Sequence, residues 1–135
     1  MRRVDPDHLA DAMRTLADAL TGFTAPALAD GDPVRTKRIA HLRATAWRTV
    51  RAVVIPAAWH AGLTPPGPRR HGRRLRPEAL ADWAADHAGP LCLSSDSIDE
   101  PEVLDLLFLA SAIRAERREQ GALPTGRLRL CEEFS

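Results

Sequence analysis

The chain has no tyrosine and no asparagine, two cysteines, and a single lysine, Lys37, against eighteen arginines. Each scarcity excludes something. Two cysteines, Cys92 and Cys131, make no disulfide framework, because small secreted domains that depend on disulfides use four or more. The N-terminal Arg2-Arg3 runs into an acidic stretch and not an apolar core, so no secretory leader is expected. The longest apolar run, "AVVIPAAWHAGL", is 12 residues and contains Pro56, too short and too broken to span a bilayer. A cytoplasmic protein with reduced thiols and no membrane partner is the expectation.

Catalytic and cofactor signatures are lacking too. There is no Cys-x-x-Cys, no His-Glu-x-x-His, no glycine-rich phosphate loop and no dinucleotide fingerprint. The five histidines, His8, His41, His60, His71 and His87, show no paired ligand spacing, so no metal and no cofactor are expected. Cys92, His87 or His60, and Asp96 can be drawn as a nucleophilic set. Cys92, however, stands between Leu91 and Leu93, which suits an inert core thiol better. No catalytic residue is assigned.

What the chain does have is alanine, leucine and arginine in helical order. At 135 residues it fits one domain. Asp5-Pro6 and Asp32-Pro33 pair a capping acid with a proline suited to the first helical position. After the first, Leu9, Ala12, Met13, Leu16, Ala17 and Leu20 repeat as one helical face, with Gly22 as the stop. After the second, Ile39, Leu42, Ala46, Val50 and Val53 form the apolar face of a helix that Pro56 kinks or ends. A third helix is predicted from Pro77 to about His87, with Gly89-Pro90 as its stop.

A fourth helix starts at "DEPE", Asp99 to Glu102, an Asp-x-x-Glu capping pattern, and Gly121 closes it. Its Val103, Leu104, Leu106, Leu107, Phe108 and Leu109 are apolar nearly all round, which predicts a central helix near 100–120. The fold class is therefore all-α, a single domain of four main helices. Two further elements are expected. One is an extended C-terminal tail at 122–135. The other is a minor two-stranded element formed by residues 91–93 and 128–131.

The charge distribution is uneven. Residues 1–33 carry a balance of −3, residues 34–77 carry eleven basic and no acidic side chains, and residues 78–135 carry −7. Within the basic block, Lys37, His41, Ala44, Arg48 and Arg51 fall within about 80° of one another, opposite the apolar face. The block ends in the Pro/Gly-rich loop at 64–77, "TPPGPRRHGRRLRP", with Arg69, Arg70, Arg73, Arg74 and Arg76. Arginines on one helix face together with an arginine loop match the electrostatic footprint of a nucleic-acid binder, and guanidinium suits phosphate.

The expected function is a small non-enzymatic helical protein, a regulatory or accessory subunit, that binds DNA or RNA through Lys37, His41, Arg48, Arg51, Arg69, Arg70, Arg73, Arg74 and Arg76. Two other readings stay open. In one, the chain is a protein–protein adaptor or self-associating module, its basic block meeting an acidic protein surface or a second copy. In the other, it is a small helical enzyme with an interhelical pocket.

Overall fold

A computed structural model describes residues 4–23, 32–67, 69–70, 73–93 and 98–134, without the side chains of 69, 70, 73 and 120–134. The protein is all-α. In chain order the elements are α1 (Pro6–Leu20), α2 (Pro33–His60), β1 (Arg69–Arg70), β2 (Arg73–Arg74), α3 (Pro77–Asp86), α4 (Ala88–Leu93) and α5 (Glu100–Phe134).

The helix starts follow from local chemistry. Asp5 Oδ1 accepts from the Asp7 amide at 2.9 Å, and Asp32 Oδ1 accepts from the Arg35 amide at 3.1 Å. Asp99 Oδ1 accepts from the Glu102 amide at 3.2 Å. Each satisfies an amide that the first turn of a helix leaves orphaned. At the far end of α1, Gly22 takes φ of 76°, a left-handed conformation that costs glycine nothing.

α1 is packed on three sides, against α3, α4 and α5. Its Leu9, Met13, Leu16 and Leu20 are fully buried. α2 closes the bundle over α3, α4 and α5, contributing Ile39, Ala46, Val50, Val54 and Ala57. Cys92 is a buried thiol of α4.

Three expectations are corrected. The helix at 100–120 packs on α1 and α2 but is not apolar into the core on every side. Val103, Leu106, Ala110 and Ile113 are buried, Leu107 is half-buried, and Leu104 and Phe108 face solvent. Of the two outcomes open at Pro56, a kink or an end, the helix does not end there, and α2 continues through it to His60. Proline removes the bond to the carbonyl of Ala52, and Ala52 and Pro56 are both on the exposed side, where water can satisfy that carbonyl.

Residues 91–93 are not a strand. α3 breaks at His87, and Pro90 then sits in the first turn of α4, where a missing N–H costs nothing. α5 extends to Phe134, so 122–134 are helical and not an extended tail, and 128–131 pair with no strand. The alternation of Leu128 and Leu130 with arginines spans too few residues to outweigh helical hydrogen bonding. The strands that do form are in the arginine loop, with Arg69 opposite Arg74 and Arg70 opposite Arg73 in antiparallel register.

Candidate functional site

The basic block of 34–77 divides by the face of α2 that each residue occupies. Arg35 is 4% exposed. Its Nη2 donates to the Glu116 carbonyl at 3.0 Å, and its Nε lies 3.5 Å from Glu116 Oε1. Arg38 reaches the same carboxylate oxygen at 3.4 Å. Arg43 donates to the Phe23 carbonyl and lies 3.5 Å from Glu78 Oε1. These three arginines hold α2 against α5, α3 and the end of α1. They serve the fold.

Lys37, His41, Arg48 and Arg51 are exposed. None has an acidic partner among the described residues. Arg48 donates only to Thr45 Oγ1, at 3.3 Å. Arg51 stacks its guanidinium 5.4 Å above the Trp47 ring, which keeps the cation extended along the surface. From Lys37 to Arg51 the four residues occupy about 21 Å of one rigid helix.

Arg74 is exposed on β2, and Arg76 is exposed at the cap of α3. The side chains of Arg69, Arg70 and Arg73 lie outside the described residues, as does His71. The backbone register nonetheless sets arginine opposite arginine in both pairs of the hairpin. The Arg43–Glu78 contact places the start of α3 on one flank of α2. Around that helix the order is the exposed cations, then Trp47, then Arg43. Arg76, two residues before Glu78, caps the start of α3.

The opposite flank is acidic. A groove of about 270 Å³ runs between Arg48, Thr49, Ala52 and Val53 of α2 and Glu102 and Asp105 of α5. The Glu102 carboxyl is held above its ordinary value, first by burial and then by the neighbouring charge of Asp99, with Asp105 adding to it. Folded chains therefore retain a proton that unfolded chains release at lower pH. Stability is thus lost as pH rises from the ordinary value of 4.5 through the raised one. Glu102→Gln should be more stable than the parent in urea melts at neutral pH, with the gap closing once the pH falls below that ordinary value. A gap that is absent at neutral pH, or that widens on acidification, would contradict this assignment.

Two features escaped the sequence. Trp59 is 70% exposed and, at about 100° per residue, falls on the same face as Lys37, His41 and Arg48. Its face follows only once α2 is seen to run through Pro56. Val34, 67% exposed, opens the other end beside a shallow groove of about 420 Å³ lined by Val34, Lys37, Arg38, His41 and Leu42.

Cys92 is buried in α4. His87 Nδ1 is 2.7 Å from the Trp83 carbonyl, and its ring stacks on Trp83 at 4.3 Å, so it finishes α3. Asp96 lies outside the described residues. Among the described residues no group of three or more His, Cys, Asp or Glu can hold a metal, and no helix is long and apolar enough to cross a membrane.

The architecture and site together define a small helical protein with one cationic helix face. No family model, curated protein or solved structure matches the chain.

Proposed function

We propose that the protein is a non-enzymatic, cytoplasmic regulatory or accessory subunit that binds nucleic acid through the exposed face of α2 together with the arginines of the 69–76 loop. One observation carries this reading. Lys37, Arg48 and Arg51 stand in line on a rigid helix with no acidic partner among the described residues, while Arg35, Arg38 and Arg43 of the same helix are all engaged. A face whose charges are left unmet along about 21 Å matches the spacing of phosphates, which recur every few ångströms on either strand.

One further feature supports it. Trp59, at the end of the same face, offers an exposed ring on which a base can stack.

The test is a fluorescence-anisotropy titration with labelled single- and double-stranded oligonucleotides over a series of salt concentrations. If Lys37, Arg48, Arg51, Arg74 and Arg76 each neutralise a phosphate, the slope of log K against log salt on duplex should be roughly −4 to −5. No binding at low salt, or binding indifferent to salt, refutes the reading.

A further inference from the structure

α5 has a second face. Its inner side, with Val103, Leu106, Ala110 and Ile113, is buried against α1 and α2. On its outer side Phe108 is 72% exposed and Leu104 is 44% exposed, and Ser111, Ala112, Ala115 and Arg118 are exposed with them. Leu104, Phe108, Ser111, Ala115 and Arg118 recur in alternating steps of four and three residues. That is the spacing of a seam where one helix meets another. A single exposed apolar residue is ordinary, but a leucine and a phenylalanine aligned on a heptad seam with small residues beyond them are not.

We propose that this seam docks a second copy of the same chain, antiparallel and related by a two-fold axis. A two-fold contact requires a surface that complements itself. When the helix is reversed about a point between Leu109 and Ala110, Phe108 meets Ser111 of the second copy. In the same register Leu104 meets Ala115. A large side chain faces a small one in each layer, which lets the helices approach closely.

The charges agree with that direction. The exposed acid Glu100 lies toward the start of the seam and the exposed cation Arg118 toward its end, while Arg114 faces Asp18 of its own chain at 3.5 Å. Reversal brings Arg118 opposite Pro101 of the second copy, next to its Glu100. A parallel pairing would set like charges together. Charge patterns of this kind fix orientation more than affinity. From Pro101 to Arg118 the seam is about 26 Å long. One helix pair buries less than a standard interface, so the dimer is weak, in the micromolar range. This surface is separate from the α2 face, and its test needs no nucleic acid.

Sedimentation equilibrium of the full chain from about 1 to about 500 μM brackets that affinity. The average mass should rise from the 14.8 kDa of one chain toward twice that value. Phe108→Arg, and separately Leu104→Asp, should hold it at one chain while the thermal melt at low concentration is unchanged, since both side chains face solvent. Arg118→Glu should shift the midpoint to higher protein concentration, and adding Glu100→Arg should restore it. A chain that stays monomeric across the range overturns the proposal. So does a dimer that survives Phe108→Arg, or one that Arg118→Glu tightens.

Discussion

Glu116→Ala is expected to cost about 3 kcal/mol, the lower end of the about 3–5 kcal/mol for breaking a buried ion pair, and to lower Tm by roughly 10 °C. Glu116 holds α5 to α2 through Arg35, whose side chain is 5% exposed against 12% for the carboxylate. Truncation leaves a guanidinium enclosed by protein with no opposite charge. The loss stays at the low end because the Arg35 Nη2 bond goes to the Glu116 carbonyl, which alanine keeps. Neither Arg35 Nε nor Glu116 Oε1 makes an aligned hydrogen bond, so the carboxylate contributes charge more than geometry.

Arg35→Ala should cost less than Glu116→Ala. Glu116 would keep Arg38 at 3.4 Å, and that cation is 55% exposed and already hydrated. Arg35→Met combined with Glu116→Leu should recover most of the stability, because two apolar side chains need no partner. Denaturant melts of the four proteins decide it. A Glu116→Ala variant within about 0.5 kcal/mol of the parent would show that the pair contributes nothing.

Such pairs were invisible in the sequence, and the reason is physical. Helix starts depend on neighbours a few residues away, so Asp5-Pro6, Asp32-Pro33 and Asp99-Glu102 could be read directly. The apolar faces of α1 and α2 were legible because a period of about 3.6 is itself local information. Glu116 and Arg35, by contrast, are joined only by packing, 81 residues apart. From composition the block at 34–77 looked uniform. The fold divided it, turning Arg35, Arg38 and Arg43 to acids and leaving Lys37, Arg48 and Arg51 outward. In the same way, an α5 rich in leucine and phenylalanine read as fully buried, because sequence alone does not say how many of its faces find a neighbour. At Pro56 the sequence left a kink or an end open, because whether the stranded carbonyl reaches water depends on exposure at Ala52, a property of the fold.

That division of one helix yields the largest expected effect on binding. The triple variant Lys37→Gln/Arg48→Gln/Arg51→Gln should flatten the salt slope on duplex DNA by about 2 to 3, since each lost phosphate contact removes about 0.9. Its affinity should fall uniformly across sequences, because phosphate contacts carry no base information. Its stability should stay within about 0.5 kcal/mol per site, as exposed side chains without ion pairs have little to lose. Arg43→Gln should behave in the opposite way. It lies beside Glu78 and binds the Phe23 carbonyl, so the melt should suffer while the salt slope of the folded protein is unchanged. Asp105→Asn completes the set, because it removes an acid from the groove beside Arg48 and should tighten binding. Anisotropy titrations and urea melts on these variants separate two roles for arginine on one helix. If the triple variant keeps the parental slope, phosphates do not contact this face. If it loses stability as Arg43→Gln does, its cations belong to the fold, and an acidic protein surface becomes the better candidate for what this helix meets.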